Sequence, residues 1–166
     1  MNRRHLLSCL PPLALASLLR PAVAGTAPQA SAQPAVQAEA LPQTDADWRS
    51  RLSAQQYQVL RQQATERAFT SPLNAEKRVG TYHCAGCRAA LFTSVMKYDS
   101  GTGWPSFHSA LPGVLGTRTD FKAVYPRTEY HCAHCGGHQG HVFNDGPAPS
   151  GKRYCNNGVA LSFVTA

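Results

Sequence analysis

Along this chain the pattern of apolar and polar positions changes character twice. Residues 6–19 are mostly apolar, broken by Pro11 and Pro12 and preceded by Arg3 and Arg4. Residues 25–43 hold mainly Ala, Gln and Pro, with Glu39 as the one charge, and have no apolar face to bury. That stretch predicts a flexible tether. From residue 44 the pattern becomes that of a folded domain. Leu52-Ser53-Ala54-Gln55-Gln56-Tyr57 predicts a helix start: Ser53 caps, Gln56 completes a capping box, and Leu52 staples onto Tyr57. Tyr57, Leu60 and Ala64 share the next face, and the helix should fade near Thr65. Beyond Gly80, short apolar runs are separated by Gly, Pro, Asn and Asp, the texture of strands and turns. The expected strands are 80–83, 90–93, 117–125, 128–131, 141–144 and 158–164. Within the third, Thr119 to Ala123 alternates as a half-buried strand does. The expected fold class is therefore mainly β and mostly antiparallel, behind a short helical N-terminus.

Composition narrows the picture. A chain of 166 residues, 43% hydrophobic and 15% charged, suits one domain with a tail and is not disordered throughout. It is long enough to bury a core without disulfides. The basic start, short apolar core and Ala22-Val23-Ala24 before Gly25 read as an export signal over residues 1–24, too short and too broken to span a membrane. Arg3-Arg4 resembles a twin-arginine signal, although His5 departs from that pattern; a general secretory signal is the alternative. The expected location is the periplasm, with a mitochondrial presequence as the rival reading. Cys9 precedes most of the apolar run, which excludes a lipoprotein anchor, and no stable membrane insertion of the mature chain is expected. The formal charge of +7 loses Arg3, Arg4 and Arg20 with the signal and falls to +4. The remaining Lys and Arg are scattered, so a nucleic-acid partner is not expected.

The cysteines carry the chemistry. An even count of 6 suggests disulfides, but removal of Cys9 leaves an odd set. His83-Cys84-Ala85-Gly86-Cys87 and His131-Cys132-Ala133-His134-Cys135 are two C-x-x-C knuckles, with Gly86 and Gly136 easing the turns. Cys84, Cys87, Cys132 and Cys135 suit one closed, structural zinc site. Two disulfides remain the alternative in an exported protein, and His83, His131 or His134 could replace a sulfur. Haem attachment is excluded, because Arg88 and Gly136 stand where a histidine is needed. Cys155 is left over. Lys152 and Arg153 before it favour a thiolate, against the plainer reading of a small buried hydrophobe. His138 and His141 suit proton donors and thiolate partners, or else metal ligands. Trp104, between Gly103 and Pro105, reads as an aromatic wall for an apolar group such as a methyl, or as a core residue at a tight turn.

These segments together resemble the methionine sulfoxide reductase B family. The resemblance rests on Gly-x-Gly-Trp-Pro-Ser-Phe at 101–107, Gly-His-Val-Phe-x-Asp-Gly-Pro at 140–147 and Arg-Tyr-Cys-x-Asn at 153–157. Leu52-Ser53 to Arg61 and Ala68-Phe69-Thr70 add to it, and the knuckles match the family's zinc-containing branch. The similarity runs over residues 44–166. It implies two antiparallel sheets in a sandwich- or barrel-like arrangement with a structural zinc clip. It also implies thiol-dependent reduction of the R epimer of methionine sulfoxide in oxidised proteins and peptides, with a thioredoxin-like or small-molecule thiol as reductant. On this resemblance Cys155 is the nucleophile, passing through a sulfenic acid. His138 and His141 are the paired active-site histidines, and Asn157 is a further catalytic residue. Trp104 holds the sulfoxide methyl, Phe143 and Arg153 help bind substrate, and the four knuckle cysteines hold one zinc. Three positions depart from the family. Thr102 stands where many members carry a resolving cysteine, so direct reduction by an external thiol is expected, or a route through a knuckle cysteine if zinc is absent. Gly158 replaces a common Ser and should loosen the following strand. Gln139 replaces a common Leu and should make the pocket slightly wetter. The alternative function is a non-catalytic, zinc-stabilised binding module that grips its partner through the Trp104 pocket.

Overall fold

A computed structural model describes residues 41–166. The expected export signal, its twin-arginine pair and the tether up to residue 40 lie outside the described residues. Two reciprocally capped helices open the domain. Thr44 accepts from the Asp47 amide at 3.2 Å while the Asp47 carboxylate accepts from the Thr44 amide at 3.0 Å, which starts α1 (Asp45–Arg51). Ser53 and Gln56 do the same at 3.2 and 3.1 Å for α2 (Ala54–Gln62). Each box satisfies amides that a helix N-terminus otherwise leaves unpaired. The helix α2 ends at Gln62, and its cap Gln63, with a φ of 58°, turns the chain close to Thr65, where the helix was expected to fade. The seven-residue α1 escapes periodicity analysis because it buries only Trp48. Among the described residues no helix is long and apolar enough to cross a membrane.

The rest is antiparallel β. Strands β1 (Gly80–Cys84), β2 (Ala90–Thr93) and β9 (Leu161–Thr165) form one sheet in the order β2-β1-β9. Strands β3 (Lys97–Tyr98), β4 (Ser106–Phe107), β5 (Leu115–Asp120), β6 (Arg127–Cys132), β7 (His138–Phe143) and β8 (Arg153–Asn156) form the other in the order β3-β4-β8-β7-β6-β5. Aromatic rings join the two. Phe92 of the small sheet stacks on Phe107 of the large one at 4.1 Å, and Tyr82 meets Phe107 edge-on at 5.0 Å. Leu60 of α2, Leu91, Tyr130 and Leu161 complete this core. Each such burial contributes about 1.5–3 kcal/mol. The small sheet's β1 ends at Cys84 and the large sheet's β6 at Cys132, so each sheet delivers one knuckle.

Several expectations need correction. The strand expected over 117–125 stops at Asp120. Phe121, Val124 and Tyr125 are exposed in the turn that follows, so their alternation reflects no buried face. The strand expected over 158–164 starts only at Leu161, after a 3-10 turn at Gly158–Ala160. The strand β8, which carries Cys155, and the two-residue β3 and β4 were not expected, being too short to show a period. The strand β7 begins at His138 rather than His141 because Gly140 lets two backbones close: a Cβ there would lie 1.9 Å from the Cys155 carbonyl oxygen.

Gly158 does not loosen its surroundings. It is buried, and a Cβ there would lie 1.9 Å from Ser71 Oγ. Ser71 thus fills the space a serine at 158 would need. Gly158→Ser should lower the urea midpoint by an amount corresponding to about 1–3 kcal/mol of overpacking. The double variant with Ser71→Gly should recover part of the loss. Equal midpoints for the wild type and Gly158→Ser would contradict this packing.

Candidate active site and cysteine cluster

The two knuckles are built alike. The Arg88 amide donates to the Cys84 carbonyl and the Gly136 amide to the Cys132 carbonyl, each at 2.8 Å. Arg88 and Gly136 both take left-handed backbone, with φ of 60° and 69°. This brings the four sulfurs within 4.8 Å of one another. Cys84–Cys135 and Cys87–Cys132 are each 3.6 Å apart, far beyond the roughly 2.05 Å of a disulfide. A tetrahedron with metal–sulfur bonds of about 2.3 Å has edges near 3.8 Å, so the four thiols fit one metal ion. No histidine substitutes for a sulfur in this cluster. His83 Nδ1 lies 2.9 Å from the Arg88 carbonyl, His131 pairs with Glu129, and His134 is exposed. Gln139 departs from expectation too. It is fully buried on the cluster side, where Nε2 donates to Cys84 Sγ at 3.3 Å and Oε1 accepts from Asn156 Nδ2 at 3.4 Å. It does not line the cavity beside Cys155, so it does not wet it.

A cavity of about 100 Å³ opens over Cys155, with His141, Trp104, Phe143, Arg127 and Asn157 around it. Strand register explains the meeting: Cys155 of β8 pairs with His141 of β7 on one side and Ser106 of β4 on the other. Burial pushes the Cys155 thiol up, and the Arg153 charge and a hydrogen bond from Thr102 pull it back only in part. Of the two cations expected to favour a thiolate, only Arg153 acts on the sulfur, and burial outweighs it. Lys152 donates instead to Asn144 Oδ1 at 2.6 Å, on the exposed side. Arg153 is held by Asp145 through two bonds of 2.8 Å and lies 4.3 Å over the Phe143 ring.

Carboxylates hold both histidines. His141 Nε2 is 2.7 Å from Asp120 Oδ2, which also accepts from Arg127 at 2.7 Å. Burial lowers the His141 pKa, opposed by the Asp120 hydrogen bond. His138 is buried outside the cavity, with Nδ1 at 2.8 Å from Glu129 Oε1, and its ring meets His141 edge-on at 5.4 Å. Asn157, expected to be a further catalytic residue, borders the cavity and is anchored at both atoms of its side-chain amide. Its Oδ1 accepts from the Glu66 amide at 3.0 Å and its Nδ2 donates to the Gln139 carbonyl at 2.9 Å. Trp104 Nε1 donates to the Glu66 carbonyl at 3.1 Å, and the Glu66 carboxylate accepts from the Gly158 and Val159 amides. Glu66, Asp120, Arg127 and Glu129 were not singled out from sequence. Each lies far along the chain from the motifs it supports, and no local pattern marks it.

The SelR domain matches residues 52–165. A "Peptide methionine sulfoxide reductase MsrB" of Thiobacillus denitrificans is 53% identical over 123 residues, covering 74% of this chain and 93% of the relative. The chain belongs to the methionine sulfoxide reductase B family. A protein of the same name from Leptospira interrogans is 50% identical over 121 residues, covering 72% and 92% of the two chains. One from Agrobacterium fabrum is 49% identical over 121 residues, covering 72% and 90%. Members of the methionine sulfoxide reductase B family are oxidoreductases, and the four-cysteine cluster fits the family's metal-containing branch. Within this member, Thr102 sits in hydrogen-bond contact with Cys155 and 2.8 Å from Ser100 Oγ, which is itself 2.7 Å from Ser106 Oγ.

Glu129 gives this reductase a measurable acid limb. Burial raises its carboxyl, but hydrogen bonds from His138 and His131 outweigh that and bring it from 4.5 to about 2. A depressed carboxylate stabilises the fold fully above its unfolded value and loses that contribution as pH falls through the folded one. Stability should therefore decline between about pH 4.5 and pH 2. Glu129→Gln should flatten that part of a thermal-midpoint profile, and an unchanged slope would contradict the assignment.

Proposed function

We propose that this chain reduces methionine-R-sulfoxide in oxidised proteins and peptides to methionine, with Cys155 as nucleophile. The observation that carries this reading is a half-buried thiol and a carboxylate-held imidazole facing one small cavity beside an indole. The sulfoxide methyl lies against Trp104, whose ring the Glu66 carbonyl holds in place. Phe143 and Arg153 border the same end of the site. Cys155 attacks the sulfoxide sulfur as its thiol proton passes to the sulfoxide oxygen. With Nε2–H engaged by Asp120, His141 exchanges that proton through Nδ1. The hydroxyl then migrates from the sulfoxide sulfur to the Cys155 sulfur as the S–S bond just formed breaks; methionine leaves with that electron pair, and Cys155 is left as a sulfenic acid. His138, held by Glu129, steadies His141 from behind rather than touching substrate.

Thr102 cannot form a disulfide, and the other mature cysteines form the cluster. One external thiol condenses with the sulfenic acid, releasing water and leaving a mixed disulfide. A second thiol releases Cys155 and departs as the oxidised disulfide. The four thiolates of Cys84, Cys87, Cys132 and Cys135 hold a structural zinc with no open position, clipping the ends of β1 and β6. The mature domain acts in the periplasm, and a twin-arginine signal would export it folded and already loaded with metal.

Incubation with dithiothreitol and each sulfoxide epimer should show turnover of the R epimer by the wild type and none by Cys155→Ser. Turnover of only the S epimer, or comparable turnover by the variant, would overturn the reading. Metal analysis of the same protein should return about one zinc per chain. Mass spectrometry after one turnover without thiol should find Cys155 as sulfenic acid; an intramolecular disulfide in zinc-loaded protein would defeat the direct route.

A further inference from the structure

The cavity over Cys155, about 100 Å³, has room for one side chain, so the main chain bearing a sulfoxide must lie outside it. Trp104 also borders a second, larger groove of about 390 Å³. Phe69, Tyr98 and Pro105 give that groove apolar walls, and Lys77 and Lys97 give it positive charge that Asp99 only partly offsets. Phe69 is its most unusual residue. Its ring is 75% exposed, and its φ of 64° is a backbone conformation that side-chain-bearing residues rarely adopt. The position is held deliberately: the Phe69 amide donates to the Gly103 carbonyl at 2.7 Å, and Asn74 Nδ2 donates to the same oxygen at 2.9 Å. The ring then covers Gly103, where a Cβ would come within 2.8 Å of it. An exposed aromatic kept in a costly conformation against the residue before Trp104 contributes little to the core. Such strain points to contact with something that binds.

We infer that this groove receives the polypeptide flanking the oxidised methionine, with an apolar neighbour on Phe69 and an acidic side chain near Lys77 and Lys97. The occupant follows from continuity, since Trp104 is common to both spaces and the sulfoxide side chain must lead out past it. Its charge follows from the paired lysines. The inference rests on the reaction proposed above and deepens it. Binding outside the cavity adds affinity through the flanking residues, so the chain discriminates among oxidised peptides by what lies beside the sulfoxide.

The test compares N-acetyl-methionine-R-sulfoxide methylamide with a short peptide carrying Leu next to the sulfoxide and Glu beyond it. Phe69→Ala should lower the ratio of kcat/KM for peptide over amide roughly tenfold, through KM rather than kcat. Phe69→Leu should fall between that variant and the wild type. Lys77→Glu should turn the preference toward a peptide with Lys in place of Glu. Equal losses on both substrates, or no loss on either, would overturn the groove's role. Fluorescence anisotropy of the labelled peptide on Cys155→Ser protein, with and without Phe69→Ala, reads the groove without chemistry. Phe69-dependent binding without wild-type turnover would overturn the reaction and keep the groove; binding indifferent to Phe69 would overturn the groove alone.

Discussion

One buried residue, Glu66, ties the active site together. Its amide donates to Asn157, its carbonyl accepts from the Trp104 indole, and its carboxylate accepts from the Gly158 and Val159 amides. These groups come from two stretches of chain, one at Trp104 and one at 157–159. A buried carboxylate is costly unless its oxygens are satisfied, and the N-terminal amides of the 3-10 turn after β8 satisfy them. The exchange works in both directions, because those amides would otherwise be unpaired beside Ser71. Gly158 takes part by having no side chain, which lets Glu66 and Ser71 approach the turn. The wall of the cavity and the strand bearing Cys155 are thus positioned by the same residue.

Charge inside the large sheet is arranged in two separate groups. Asp120 joins His141 to Arg127, and Glu129 joins His138 to His131 and Arg118. His138 and His141 have different carboxylates, so their imidazoles meet edge-on without sharing a proton partner. The first group borders the cavity and the second stands behind it. The antiparallel register of β6 and β7 sets Glu129 opposite His141, yet the Glu129 side chain serves His138 on the other group. This separation leaves the His141 imidazole at the cavity and the His138 imidazole behind it.

Much of this was legible in the sequence, for reasons that differ by element. Ser53 and Gln56 showed the start of α2 because capping is local. The knuckles and Cys155 showed themselves because spacing and residue type are local too. The class of fold followed from turn residues after Gly80. The hidden parts depend on distant contacts. Thr119 to Ala123 alternates on paper, but the chain turns after Asp120 to bring Arg127 back beside it. Lys152 and Arg153 both precede Cys155, yet only the second reaches its sulfur, because Lys152 and Arg153 sit on opposite sides of the chain. Gln139 seemed to belong to the pocket through its neighbours and instead faces the cysteine cluster, because the β6–β7 register shifts beside it and breaks the alternation that would put it on the face of His141.

Burial of Cys155 has a consequence for the protein's own survival. A thiolate reacts with peroxide; a thiol scarcely does. Partial burial pushes the Cys155 thiol up, which favours the form less open to the oxidants that create damaged methionine. In the reaction proposed above, the arriving sulfoxide supplies an oxygen able to accept that proton. Such a site would favour an oxidised side chain to be mended over the reagent that oxidised it.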